Sequence, residues 1–200
     1  ANGINTQKNP LNNEKDVKDL VKSLKEKTFS ITKIETKPQS SSPKAPFRTS
    51  TLQMSAASSL GFTADRTMRS AQNLYEGGLI TYLRTDGISI STSPNTGEPF
   101  SEEKPGPPPL QEIRNLIKKE FKEEFLSEQV RVYKSKVQNS QEAHEAIRPT
   151  NISLTPKNLN LGQDEQKLYK LIWNRTVASQ MVNSKHERKN LTISSDDNKY

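Results

Sequence analysis

Gly78-Leu79-Ile80-Thr81-Tyr82-Leu83-Arg84-Thr85-Asp86 is the stretch on which the reading of this 200-residue chain turns. Its run of apolar and β-favouring residues reads as a strand, and on a strand residues i and i+2 share a face. The Tyr82 hydroxyl is thereby expected beside the Arg84 guanidinium. A phenol needs help to act as a nucleophile, since with a pKa near 10 only about one in a thousand is ionised at pH 7. A planar, permanently charged guanidinium can hold phosphate oxygens and offset the negative charge that develops there. Tyr82 is therefore the candidate nucleophile and Arg84 the candidate phosphate clamp. The competing reading is a packed strand tyrosine beside a solvated arginine.

Upstream of this stretch, Thr49 or Ser50 is placed to cap a helix that carries Leu52, Ala56 and Leu60 and ends at Gly61. Thr63 is placed to cap a second helix with Met68, Ala71, Leu74 and Tyr75, ended by Gly77-Gly78. Two short helices, a tight turn and a following strand have the layout of a winged-helix-like (CAP-like) unit, a kind that commonly meets DNA. Downstream, residues 91–109 are proline-rich without hydrophobic periodicity and read as an exposed, mobile loop. Leu110, Ile113, Ile117 and Phe121 mark a helix extending toward Phe125. Glu128 to Val137 reads as a strand, and Gln141 to Ile147 as a helical turn or two, stopped by Pro149. A longer helix begins at Asp164 and ends near Asn183, and a last strand covers Lys189 to Ser194. At the other end, Val17, Leu20, Val21 and Leu24 recur at helical spacing, Thr28 to Thr36 reads as a strand, and Lys37 to Pro46 as a linker holding a domain boundary.

Composition narrows the function classes. Apolar residues are 30% of the chain and Asp, Glu, Lys and Arg 26%, so the core is expected to be small. A formal charge of +7 favours a polyanionic partner, nucleic acid before membrane, because no apolar run is long enough to span a bilayer. With no cysteine, disulfides and cysteine zinc sites are excluded for these residues. The chain starts at Ala1 and stops at Tyr200 just after a strand-like run, and is expected to be a piece of a longer protein.

Three longer strings add to the central stretch. Residues 46–91, running from Pro-Phe-Arg-Thr-Ser-Thr-Leu-Gln through Arg-Thr-Met-Arg-Ser-Ala-Gln-Asn-Leu-Tyr-Glu-Gly-Gly to Ile-Thr-Tyr-Leu-Arg-Thr-Asp-Gly, resemble the active-site region of type IA DNA topoisomerases, the bacterial topoisomerase I branch most closely. Ser140-Gln141-Glu142-Ala143-His144-Glu145-Ala146-Ile147-Arg148-Pro149-Thr150 is similar to the family's histidine-bearing segment, and Lys167-Leu168-Tyr169-Lys170-Leu171-Ile172-Trp173 is a third match in family order.

The resemblance implies that Tyr82 attacks a phosphate of single-stranded DNA to form a 5′-phosphotyrosine link, and that the break is resealed without ATP. It implies that Arg84 positions the phosphate and that His144 approaches it, with Arg148 a further DNA contact. Thr81, Thr85 and Asp86 are candidate DNA contacts or supports for Arg84, with ordinary strand and turn chemistry as the alternative. Ser50 and Gln53, at a helix start, are candidate phosphate contacts, with capping as the alternative for the serine. The other histidine, His186, has no motif. His144-Glu145 lacks a second ligand at i+4, so no zinc site is assigned.

In intact family members Mg2+ is held by a separate Toprim domain, and no comparable carboxylate cluster stands in this sequence, so the piece is not expected to relax supercoils alone. The implied class is α+β, mostly helical. Residues 1–41 and 185–200 are expected to belong to hinge or arch strands, and 42–184 to the tyrosine domain with loop 91–109. The implied partners are DNA and the remaining domains of the same protein, and the implied location is the bacterial cytoplasm, in association with the nucleoid. Two rivals stand beside this reading. A non-catalytic single-stranded DNA-binding module would use Tyr82 for packing or stacking, and a scaffold would recruit a partner through the proline-rich loop.

Overall fold

The computed structural model of the chain describes residues 13–92, 107–133 and 145–196. Contacts divide the chain into two units: residues 42–184, and a second made of residues 1–41 with 185–200. Both helix and strand are present, with five α-helices and one two-stranded sheet among the described residues, so the class is α+β.

The unit made of the two ends carries α1 (Glu14–Lys25), β1 (Phe29–Ser41) and β2 (Ser184–Ser195). The Asn13 side chain caps α1 by accepting from the Asp16 N–H at 2.8 Å, and Glu14 pairs with Lys18 one turn on. The strands run antiparallel: the Asp196 N–H donates to the Thr28 carbonyl while the Thr32 hydroxyl meets Thr192 and Ser194. Both strands are longer than the sequence suggests. β1 continues through Lys37 to Ser41, residues read as linker, because pairing with β2 holds polar residues extended whatever their propensity.

The larger unit is built on α5 (Gln163–Ala178), which packs against α2 (Thr49–Leu60), α3 (Ala64–Glu76) and α4 (Pro109–Phe121). Leu168, Tyr169, Ile172, Trp173 and Val177 of α5 are buried with Phe47, Leu52, Leu74, Ile80, Leu83, Ile113, Ile117 and Ile147 in one apolar cluster. α2 and α3 meet through the turn 61–63. Gly61 at φ 68° closes α2 in the left-handed region that favours glycine, and the Thr63 hydroxyl caps α3 by accepting from the Arg66 N–H. Arg66 reaches from α3 to Asp164 of α5 with two hydrogen bonds, and Asn73 donates to Glu165.

Several expected elements differ. Residues 79–86 form no regular strand; among the described residues the one β-bridge there joins Ile80 and Pro149. Yet burial alternates, with Leu83 and Thr85 inside and Tyr82, Arg84 and Asp86 outside, so the period of two survives without a ladder. Ile147 is not helical but extended, bridged to Phe47; residues 141–144 of the expected helical turn, His144 among them, lie outside the described residues. Residues 128–133 form no strand, because the Arg131 N–H and carbonyl pair with the Gln180 side chain instead of a neighbouring strand, and 134–137 lie outside the described residues. α4 ends at Phe121, where Lys122 takes φ 76° and a 3-10 turn (Glu123–Phe125) follows. α5 ends at Ala178, five residues before the expected Asn183, and the Leu126–Met181 bridge continues the chain extended. Of the expected mobile loop, residues 93–106 lie outside the described residues.

Candidate active site

Without a β-ladder, the Tyr82 segment needs other partners for its backbone, and two threonines supply them. The Thr81 N–H donates to the Arg148 carbonyl at 2.9 Å; its hydroxyl donates to the Ala146 carbonyl at 2.7 Å and accepts from the Arg148 N–H at 2.9 Å. From the first residue of α2, the Thr49 hydroxyl donates to the Leu83 carbonyl at 2.7 Å and accepts from the Thr85 N–H at 2.9 Å, while the Thr49 N–H donates to the Thr85 carbonyl at 3.0 Å. The residues on both sides of Tyr82 are thus tied to other segments, and the side chains of Leu83 and Thr85 are sunk in the interior. Neither Thr49 nor Ser50 acts as the expected cap of α2. Arg48 holds the cap position, with its N–H donating to the Thr51 hydroxyl.

Tyr82 itself is 48% exposed, and its ring meets that of Tyr75 edge-on, with centroids 5.5 Å apart and planes at 68°. Arg84 and Asp86 are exposed, and neither has an ion-pair or hydrogen-bond partner among the described residues. That distinguishes Arg84 from Arg66 and Arg148, whose charges are already matched. Asp164 holds the Arg66 guanidinium, and the bond from Arg66 in turn holds the Asp164 carboxyl below the usual carboxylate range.

Arg148, expected on the DNA side, is buried and already bonded within the protein. It is only 6% exposed, Nε and Nη2 fork onto the Glu145 carboxylate at 2.7 and 2.9 Å, and Nη1 donates to the Pro149 carbonyl. A guanidinium spent in this way has little left for a phosphate. Glu145 also accepts the Ser91 N–H at 2.7 Å, so one carboxylate ties residues 91, 145 and 148 together. Thr81 and Thr85 are likewise occupied: the Thr85 hydroxyl donates to the Glu145 carbonyl and accepts from the Gly87 N–H. Both threonine hydroxyls are thus engaged with backbone groups of neighbouring segments.

Ser50 is exposed and Gln53 half-buried on the first turns of α2, whose first residue holds the Tyr82 segment. Among the described residues, no three His, Cys, Asp or Glu side chains gather in a way that would hold a metal ion. Also among the described residues, no helix is long and apolar enough to cross a membrane.

Thr49, Glu145 and Tyr75 make contacts to the site that the sequence did not announce. The partners of Thr49 lie 34 and 36 residues away, and those of Glu145 as far as 60, distances at which no local pattern speaks. For Tyr75 a signal existed: a second tyrosine seven residues before Tyr82, separated from it by a Gly-Gly turn.

The surface of this basic chain thus presents a phenol and a guanidinium that has no partner among the described residues. The family model described as DNA topoisomerase matches residues 2–200, and the chain belongs to that family. It is 45% identical over 204 residues to DNA topoisomerase 1 of Rickettsia bellii, covering 97% of this chain and 24% of the relative. It is 49% identical over 181 residues to that of Rickettsia felis, covering 86% and 21%, and 39% identical over 186 residues to that of Haemophilus influenzae, covering 92% and 20%. The structure of full-length topoisomerase I from Thermotoga maritima superposes with a TM-score of 0.63 at 34% identity, over 91% of this chain and 28% of that one. The chain thus spans about a fifth to a quarter of the length of these curated relatives.

Proposed function

We propose that these residues carry the strand-cleaving tyrosine of an ATP-independent type IA DNA topoisomerase that relaxes negative supercoils. The observation that carries the reading is the pairing of an anchored backbone with free chemistry: Thr49 and Thr81 fix the segment, while Tyr82 and Arg84 stay exposed and Arg84 keeps an unmatched charge. Pre-positioning of this kind lowers the cost of reaching the attack geometry.

In the proposed step the Tyr82 Oη–P bond forms as the P–O3′ bond breaks. The phenol gives up a proton, the departing 3′ oxygen takes one, and the chain is left joined to the 5′ phosphate. The bond energy is kept, so attack by the 3′ hydroxyl reverses the step without ATP. Arg84 pairs with the phosphate oxygens as charge builds on them. His144, Asp86, Ser50 and Gln53 are proposed to contact the same single-stranded DNA, and α2 and α3 with the segment that follows are proposed as a winged-helix-like unit. Mg2+ is assigned to a Toprim part of the intact protein, and β1 and β2 to its hinge or arch. By themselves these residues are proposed not to relax supercoils. A nucleoid-associated, cytoplasmic protein follows from the same reading.

The test uses the intact protein, end-labelled single-stranded DNA and Mg2+, stopped with denaturant. The proposal predicts a covalent 5′ adduct that Tyr82→Phe abolishes. DNA binding with no adduct in the unmodified protein would instead favour a non-catalytic binding module.

A further inference from the structure

We infer that Tyr75 is a positioning residue for the nucleophile: its ring, packed edge-on against that of Tyr82, selects the orientation from which the Tyr82 hydroxyl attacks. The inference rests on the reading of Tyr82 as nucleophile and adds a residue to it.

The backbone of the 81–85 segment is fixed by Thr49 and Thr81, but a fixed backbone leaves the tyrosine side chain its rotamers. At 48% exposure Tyr82 is not confined by burial, and it lies on a segment that forms no regular strand. The aromatic contact it does have is the one to Tyr75, at 5.5 Å and 68°, inside the range in which the rings' quadrupoles attract.

Tyr75 is well placed for this task because its backbone belongs to an anchored helix. It sits in the last turn of α3, a helix capped by Thr63 and tied to α5 through Arg66–Asp164 and Asn73–Glu165. The chain then turns back through Gly77 and Gly78. The Gly78 N–H donates to the Tyr75 carbonyl and the Leu79 N–H to the Leu74 carbonyl. Gly78 takes φ 68°, which permits the reversal over so few residues. Tyr75 is itself 39% exposed, more than a tyrosine kept for the core requires; Tyr169, fully buried, shows the contrast.

An edge-on aromatic pair is worth enough to change a conformer ratio by about two- to tenfold, and that is the expected loss of cleavage rate when the ring is removed. The experiment measures single-turnover covalent adduct formation by the intact protein carrying Tyr75→Phe, Tyr75→Leu or Tyr75→Ala. DNA affinity is measured in parallel for the same changes in a Tyr82→Phe background, and thermal melting checks the fold.

The expected result is near-normal cleavage with phenylalanine, cleavage slowed about two- to tenfold with leucine and alanine, and unchanged affinity and melting throughout. Unchanged cleavage in Tyr75→Ala overturns the inference. So does an equal loss of affinity, which would make Tyr75 a DNA-stacking residue, and so does a Tyr75→Phe defect as large as that of alanine, which would move the role from ring to hydroxyl. If Tyr82→Phe itself still formed the adduct, the nucleophile assignment would fail first, and the two failures are told apart by that single control.

Discussion

Arg84 differs from Arg66, Arg148 and Arg175 of the larger unit in what surrounds it, and shares with Arg69 an exposed side chain that has no partner among the described residues. Arg66 is forked onto Asp164, Arg148 onto Glu145, and Arg175 lies 4.2 Å from the centre of the Phe47 ring, whereas Arg84 stands exposed without an acid or carbonyl partner among the described residues, two positions from the exposed Tyr82. A cation kept unpaired two residues from an exposed tyrosine is suited to a transient anion, and its value should appear in the transition state more than in binding. Arg84→Ala in the intact protein should slow adduct formation by about 100-fold or more while weakening DNA affinity less than tenfold. Rapid-quench cleavage beside an equilibrium binding titration checks this, and equal losses in both would remove Arg84 from the chemistry. The sequence made Tyr82 and Arg84 legible because their signal is local, two residues in one exposed register. It left the burial of Arg148 unseen, since an exposed motif arginine and a buried one look alike until the fork onto Glu145 is seen.

At the scale of the element, the first residue of α2 holds the site together. The Thr49 hydroxyl stands where a ladder partner would, satisfying the Leu83 carbonyl and the Thr85 N–H at once. Thr49→Val keeps the shape and strands both groups in a partly buried place, for a predicted loss of about 1–3 kcal/mol. Denaturant melts should show that loss, and cleavage should fall further than stability alone explains, because the backbone on either side of Tyr82 is released; stability and cleavage both unchanged would show that Thr49 does not hold the segment. The helices themselves were readable from caps and periodicity: Thr63 before α3, Gly61 after α2, and the apolar positions of α4 and α5. The segments between them were not. Residues 79–86 and 145–150 resemble strands or turns in composition, but each is shaped by single bonds to the other, and sequence carries no mark of a partner 65 residues away.

For the whole molecule, the interior of the larger unit responds to alkali through Tyr169. Burial pushes its hydroxyl up to about 12, and that hydroxyl donates to the Leu154 carbonyl at 2.7 Å. A pKa raised on folding means that the unfolded chain, with a value near 10, loses the proton first. The contribution is therefore complete below about pH 10 and lost as pH rises from there to about 12. Tyr169→Phe should lower stability at neutral pH and flatten its decline across that window, as followed by denaturant melts at stepped pH; an unchanged slope would contradict the burial account. The same unit presents Tyr82, and the account stands or falls on that one atom, the Tyr82 Oη. The most direct measurement traps the covalent DNA complex of the intact protein, digests it with trypsin and nuclease, and locates the residual nucleotide by mass spectrometry. Cleavage after Arg69 and Arg84 yields residues 70–84, which contain both Tyr75 and Tyr82, so fragment ions must separate the two. A 5′-phosphate on Tyr82 is the predicted result; the same mass on Tyr75, on another residue, or attached through a 3′ end would contradict the account.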